Sequence, residues 1–314
     1  MKRVQLGISA CLLGERVRYD GGHKLDPFLV DTLGKHVEYV RVCPEVECGL
    51  PVPRESMRLE GDAENPRLVT TRTRRDLTDQ MLRWARRRVV ELEKEELAGF
   101  IFKGNSPSSG MRNVRVYNSK GVPGKIAVGL FARAFMEHFP LLPVEDDGRL
   151  HDPGIRENFI ERVFTLQRWR EATAGRKAGK LAAFHAEHKL LLLAHSPKYA
   201  AAMGRLVAGG KTSPARQLLE RYEAMLTAAL RLPATVQRHC NVLQHILGYF
   251  KKHLSPDEKQ ELLERIEQYR RGTAPLIVPI TLVNHYVRKY APPYLERQVY
   301  LRPHPAELAL RNHV

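Results

Sequence analysis

Residues 37–50 read VEYVRVCPEVECGL: a short run rich in β-branched and aromatic residues, Val37–Val42, that stops at a loop bounded by Pro44 and Gly49. Such a run reads as a strand, and its loop carries two of the chain's four cysteines beside a carboxylate, Glu45. The same order recurs on either side. Val4–Ser9 is strand-like and runs into Cys11, Gly99–Lys103 is strand-like and runs into Ser106, and Val114–Tyr117 makes a fourth such segment. Between them Asp76–Leu97 has helical spacing, with Met81, Leu82, Ala85, Val89 and Leu92 on one side and Arg83, Arg86 and Arg87 on others; Val128–Phe139 reads as a second helix. Alternating strands and helices predict an α/β domain with a mainly parallel, Rossmann-like sheet. Ligands of such a sheet sit beyond the carboxyl ends of its strands, which gathers Cys11, Glu45, Cys48 and Ser106 at one edge.

Cys43 and Cys48 have the C-x4-C spacing that some iron-sulfur proteins use, and Cys11 adds a third loop thiol. Three loop thiols suit a cluster with one open iron. Zinc or a redox disulfide would use the same residues, and a free cysteine commonly serves as a small buried hydrophobe.

Four motifs, SACLLGERVRYDGGHK (Ser9–Lys24), CPEVECGLPVPRE (Cys43–Glu55), RDLTDQM (Arg75–Met81) and FKGNSPSSG (Phe102–Gly110), together cover the first half of the chain. In order and spacing they resemble the thiouracil desulfidase (TudS-like) domain family. The resemblance implies a 4Fe-4S cluster bound by three cysteines, whose unique iron takes sulfur from a thiolated pyrimidine. Carried over by position, Cys11 and Cys43 match cluster ligands, Glu45 matches the acid/base carboxylate, and Ser106 matches the first serine of the Ser-Pro-Ser motif. One position departs: the family reads Ser-Pro-Ser-Cys-Gly where this chain has Ser106-Pro107-Ser108-Ser109-Gly110. Cys48, an extra cysteine beside the second motif, is inferred to take the third ligand site, leaving Ser109 as the vacated position. The competing reading is a lost cluster.

The chemistry this implies is hydrolysis of a C–S bond without a redox change at the substrate. A thiocarbonyl sulfur is soft and polarizable, so thiolate-bound iron suits it as an acceptor. Water then attacks C4 of a 4-thiouracil ring, Glu45 moves the proton, Ser106 hydrogen-bonds the base or assists proton transfer, and sulfur leaves as hydrosulfide.

At 314 residues and 43% hydrophobic content, the chain has room for two ordered domains. Four cysteines without a dense framework suit a reducing cytoplasm. Lys2, Arg3 and the run Ile8-Ser9-Ala10-Cys11 imitate a lipoprotein processing site, but too few residues precede the cysteine for a signal peptide of about 15 to 30 residues. No apolar run of about 18 residues appears later to enter a membrane. Pro143–Leu150, with its acidic triplet Glu145-Asp146-Asp147, reads as a solvated linker, dividing the chain into domains 1–150 and 151–314. After it the pattern is all-helical, with helices near 177–194, 197–208, 214–230, 234–253, 256–271 and 279–290.

The net charge of +16 is uneven: residues 171–314 hold 22 Lys and Arg against 11 Asp and Glu. That excess reads as a footprint for a polyanion, nucleic acid before membrane. FHAEHKLLLLAHSPKY (Phe184–Tyr199), NVLQHILGYFKKHLSPDEK (Asn241–Lys259) and PLIVPITLVNHYVRKY (Pro275–Tyr290) resemble the YbgA-like family. That family also occurs fused behind desulfidase-like domains, an arrangement resembling prokaryotic tRNA 4-thiouridine desulfidases. The resemblance thus implies thiolated tRNA as partner. The RNA surface is expected on Lys251, Lys252, Lys259, Arg270, Arg271, Arg288 and Lys289, with His253 among them. No protein partner is expected. His185 and His188 have i, i+3 spacing, but hydrogen-bonded helix histidines are the better reading of this region than a second metal site. Two alternatives differ in class: a desulfidase of free thiouracil, and a noncatalytic RNA-binding protein with a decayed cluster site.

Overall fold

The computed structural model describes residues 3–118, 120–176, 178–210 and 214–313. The chain forms two compact units, Met1–Ile155 and Arg156–Val314.

In the first unit the expected α/β character is present. Strand β1 (Val4–Ser9) pairs in parallel with β2 (Val37–Val42), which opens onto the short helix α1 (Pro44–Glu47). A hairpin, β3 (Met57–Gly61) and β4 (Pro66–Thr70), leads to helix α2 (Thr78–Leu92), and β5 (Phe100–Phe102) returns beside β1. Then follow β6 (Val114–Tyr117), β7 (Pro123–Ala127), α3 (Leu130–His138) and β8 (Val144–Asp146). The four-stranded sheet β2-β1-β5-β8 is parallel throughout. Its core joins Leu6 and Ile8 to Phe100, Phe102, Phe131 and Phe135, all 0 or 1% exposed. The four rings contact one another and contribute about 2 kcal/mol each by burial.

Three features differ from the sequence reading. Val114–Tyr117 is a strand, but it belongs to a second sheet, β4-β3-β6-β7, whose partners Met57–Gly61, Pro66–Thr70 and Pro123–Ala127 were not anticipated. Helix α2 ends at Leu92, before a 3-10 turn, and Trp84 joins its buried face in place of Leu82. The fourth parallel strand is Val144–Asp146, inside the stretch read as a solvated linker. Glu145 and Asp146 are only 6 and 7% exposed, because Arg112 and Arg149 neutralise them and Phe100–Phe102 supplies the ladder. Composition suggested solvent; ion pairing made these carboxylates tolerable in a strand.

The second unit is helical: most of α4 (Pro153–Ala172), then α5 (Leu181–His195), α6 (Pro197–Ala208), α7 (Ala215–Arg231), α8 (Val236–Tyr249), α9 (Pro256–Arg270), α10 (Ile277–Tyr290) and α11 (Pro293–Glu296). Residue 177, where α5 was expected to begin, lies outside the described residues. Starts are set by side-chain caps, Ser196 for α6, Thr235 for α8 and a Ser255–Glu258 capping box for α9. Trp169 stacks on Tyr222 with centroids 5.0 Å apart, tying α4 to α7. No helix among the described residues is long and apolar enough to cross a membrane.

Candidate active site

Loops at the carboxyl ends of β1, β2 and β5 enclose a cavity of about 390 Å3. Its wall includes Cys11 after β1, Cys43 and Glu45 after β2, and Ser106 and Ser109 after β5, with Arg18, Arg54 and Lys103 around them. The parallel order that places these loops together follows from the registers Ser9 to Val42 and Ile8 to Ile101. Lys103 N–H donates to Ser9 Oγ at 2.9 Å, so two of the loops leave the sheet at a shared point.

The Ser-Pro-Ser loop is held on both sides. Asp147, at the end of β8, accepts from Gly104 N–H at 2.7 Å and from Lys103 Nζ at 2.9 Å. On the other side, the first N–H groups of α3 donate to the loop: Leu130 to Pro107 O, Phe131 and Ala132 to Ser108 O. Helix starts need such acceptors, and here the loop supplies them. The approach is close enough to demand glycine. A Cβ at Gly129 would lie 2.6 Å from the Ser108 carbonyl, and one at Gly110 would collide with Val114 and with Ser106 O. Asp147 and Ser108 are the residues that sequence reasoning missed; the Ser-Pro-Ser motif contained Ser108, but nothing in the motif said which serine touches the carboxylate.

Glu45 is the centre of the polar contacts. Ser108 Oγ donates to Glu45 Oε1, and Ser106 Oγ lies 2.9 Å from Ser108 Oγ. Because the single Ser108 proton goes to the carboxylate, Ser106 must be the donor in the second bond. Ser106 Oγ also accepts from Ser108 N–H and Ser109 N–H at 3.3 and 3.1 Å, which fixes the hydroxyl. The result is a directed chain, Ser106 to Ser108 to Glu45, whose outer member is on the cavity wall. The Arg54 guanidinium lies 3.8 Å from Glu45 Oε2 and donates to Val17 O at 2.9 Å.

Cys11 and Cys43 are each 9% exposed. Burial, reinforced by the Glu45 charge, pushes Cys11 up to about 11 and Cys43 to about 12. Both are neutral thiols at ordinary pH. Cys43 Sγ lies 3.5 Å from Glu45 Oε2. Cys48 is not on this wall. Its thiol donates to Glu45 O at 3.2 Å within the turn of α1, and its own carbonyl accepts from Gln80 Nε2 at 2.8 Å. Burial likewise raises Cys48, to about 11. Ser109 stands on the wall, 3% exposed. The structure therefore brings Cys11, Cys43, Glu45, Ser106 and Ser109 to one cavity and leaves Cys48 one turn behind it. Among the described residues no three His, Cys, Asp or Glu side chains form a ready-made metal group.

The profile described as 2-thiouracil desulfurase matches residues 6–147, and one described as a protein of unknown function (DUF1722) matches residues 189–305. The uncharacterized protein YbgA of Escherichia coli strain K12 is 33% identical over 158 residues, covering 50% of this chain and 94% of YbgA. The chain belongs to the YbgA family in its second half and carries a 2-thiouracil desulfurase-like domain in its first. A solved structure named as the [4Fe-4S]-dependent thiouracil desulfidase TudS is 30% identical, covers 48% of this chain and 95% of its own, and has a TM-score of 0.39. In this fusion protein the cavity lies wholly within the stretch matched to the desulfurase family.

The seven basic residues assigned to RNA do not form one cluster. Lys251 and Lys259 line one cleft, and Lys289, which pairs with Glu258 at 2.7 Å, belongs to the same end of α9. Arg270 and Arg271 sit at the other end, about 16 Å away at 1.5 Å per residue, and both bind Glu267. Arg288 lines a separate cleft with Arg302. Lys252 and His253 are exposed. Four of the helix histidines are hydrogen-bonded: His185 with Tyr222 OH, His188 with Phe184 O, His195 with Leu232 O and Glu161, His239 with Tyr300 OH.

Proposed function

We propose that the fusion protein is an iron-sulfur-dependent desulfidase that converts 4-thiouridine in tRNA to uridine and hydrosulfide, domain 1–150 holding the chemistry and domain 151–314 the RNA. The observation that carries this reading is the cavity itself: two thiols, a carboxylate and a serine relay on the wall of a desulfurase-family domain. The donor chemistry fits the group, since thiolates bind iron in clusters and two thiols share one wall. Cys11 and Cys43 would hold the cluster from the cavity wall, and Cys48 would complete it only by turning its thiol away from the Glu45 carbonyl. When bound, the cluster supplies a thiophilic iron for the sulfur of the substrate.

The chain's own groups do the rest. Ser106 presents a fixed hydroxyl to the cavity, and a proton given up there can pass through Ser108 to Glu45. Arg54 balances the carboxylate without taking its proton-accepting oxygen, because it faces Oε2 whereas Ser108 binds Oε1. The thiol protons must leave when metal enters, so loading is coupled to proton release. The excess of 22 basic over 11 acidic residues in 171–314 supports a polyanionic substrate.

Anaerobic reconstitution with iron and sulfide, followed by nucleoside analysis of treated tRNA, tests the reading. Loss of 4-thiouridine with matching uridine and hydrosulfide is expected; an iron-loaded protein that leaves thiolated tRNA and free thiouracil untouched ends it. One observation favours a second reading. Ser109 occupies the wall where the desulfidase pattern carries cysteine, as a decayed, noncatalytic RNA-binding protein would have it. Iron content separates the two. A Cys48→Ala protein that loses iron assigns the third ligand to Cys48; full iron retention there, with loss in Ser109→Ala, assigns it to Ser109.

A further inference from the structure

The turn that follows Cys43 has two carboxylates, and only one of them lines the cavity. Residues two apart on a helix point about 200° apart, so α1 turns Glu45 toward the cavity wall and Glu47 away from it, toward α2. Glu47 is engaged at both of its oxygens. Oε1 accepts from Cys43 N–H at 2.8 Å, and Oε2 lies 3.0 Å from Arg88 Nε of α2. The Glu47 N–H in turn donates to Cys43 O at 2.9 Å. The peptide groups on both sides of the Cys43 side chain are thus tied to one residue. Through Arg88 they are tied to a helix whose buried face carries Met81, Trp84, Ala85 and Val89.

Cys43 is the N-cap of α1, with extended backbone at φ −124° and ψ 97° and no side-chain cap bond of its own. Its N–H lies outside the helical ladder. Glu47 meets it as a capping-box glutamate would, from one position further along. At the far end of the turn Gln80 Nε2 donates to Cys48 O at 2.8 Å, so α2 holds the turn at both ends. A thiol whose backbone is already fixed has little freedom left to lose when a metal binds, whereas a free loop would have to be ordered at that moment.

We propose that Glu47, held by Arg88, is the positioning residue for Cys43 as a metal ligand: it fixes the backbone that aims the thiol at the cavity and takes no part in proton transfer at the substrate. The proposal rests on the iron-sulfur reading of the cavity. One short turn thereby divides its carboxylates, Glu45 facing the cavity and Glu47 holding the ligand.

The test compares Glu47→Ala, Glu47→Gln and Arg88→Met in the full-length protein, reconstituted anaerobically with iron and sulfide. Glu47→Ala removes both the acceptor and the ion pair, Glu47→Gln keeps an acceptor for Cys43 N–H, and Arg88→Met removes only the ion pair. Two readouts apply to each: the rate of iron release to a ferrous chelator and the electron paramagnetic resonance spectrum of the reduced cluster. Glu47→Ala should release iron on the order of tenfold faster, the scale for groups that orient metal ligands, with an altered spectrum. Glu47→Gln should stay close to the parent rate, and Arg88→Met should fall between. The Glu47 side chain is 30% exposed, so its loss leaves no hole in the core. A parent rate and spectrum in Glu47→Ala, or equal acceleration in Glu47→Gln, overturns the proposal. If the parent itself forms no cluster, the iron-sulfur reading fails by itself. In that case, or if Glu47→Ala alone fails to load, iodoacetamide labelling of Cys43 in the metal-free chain decides the positioning role. Faster labelling in Glu47→Ala than in Glu47→Gln, with Cys11 unchanged, supports it; equal labelling in the two rejects it.

Discussion

The two units bury comparable ionisable groups to opposite ends. In the α/β unit, Cys11, Cys43, Glu45 and Ser106 reach the wall of one cavity, and a hydrogen-bonded path through Ser108 joins Ser106 to Glu45. In the helical unit, Glu157 and Glu161 close on Arg311, His195 bridges Glu161 and Leu232 O, and Arg311 Nη1 donates to Tyr300 O at 2.7 Å. The second network holds the C-terminal segment onto α4. Burial by itself therefore does not distinguish a reactive group from a structural one; a hydrogen-bonded path that ends at open space does.

The largest expected effect is on metal. Cys43→Ala should abolish both iron binding and turnover, whereas Cys240→Ala, at a buried position of α8, should leave iron content unchanged. Equal iron loss in both would erase the contrast between the units. In the helical unit, Arg311→Met removes the arginine that two buried carboxylates share and should cost about 3 to 5 kcal/mol, read as a lower midpoint in urea. An unchanged midpoint would mean that this network does not hold the unit together.

Glu45→Gln comes next. Iron content should stay normal while turnover falls by about 100-fold or more, the scale of general acid/base catalysis. Ser108→Ala interrupts the relay but leaves both ends, so about a tenfold loss is expected, equivalent to about 1.4 kcal/mol. A full rate in Ser108→Ala would show that Ser106 passes its proton elsewhere.

Acid should act on the helical unit. Burial lowers His188 and His239 to about 3, so both stay neutral in the fold and charge only on unfolding. Their contribution is fully present above about pH 6.5 and is lost as pH falls toward 3, at about 1.4 kcal/mol per pH unit for each group. Thermal midpoints across that window should fall, and His188→Leu should flatten the slope. The smallest effect concerns RNA. Lys251→Glu with Lys259→Glu should weaken tRNA binding and reduce the salt slope by about 0.7 to 0.9 for each phosphate no longer neutralised. Arg270→Glu should do less, since Glu267 already occupies that side chain. Equal weakening by the two variants would restore the single basic surface that the sequence suggested.

Much of the α/β unit was legible because its signals are local. Val4–Ser9 and Val37–Val42 are strands because β-branched residues stop at Cys11 and Pro44, and the loops after them carry chemistry at fixed spacing. Val144–Asp146 escaped notice because its carboxylates are acceptable only beside Arg112, remote in sequence, and Arg149, which reaches back through the turn after the strand. The second sheet was hidden for a related reason. Its pairing of Leu59 with Val116 joins segments far apart in the chain, and no periodicity reports a partner at that distance.

By itself the sequence determined the α/β-then-helical order, the motif loops and the uneven charge, since strand and helix patterns and composition are written residue by residue. Tertiary structure alone decided which thiols share a wall, which serine meets Glu45, and how the basic residues divide. Cys48 and Cys43 are close in sequence, yet the α1 turn sends the Cys48 thiol to the Glu45 carbonyl instead of the cavity. Ser109, far along the chain from Cys43, stands on the wall with it because β2, β1 and β5 pair in parallel and the start of α3 grips the loop after β5. Side-chain direction depends on the backbone turn beneath it and on the partner that turn meets, and both are set only when the sheet has closed.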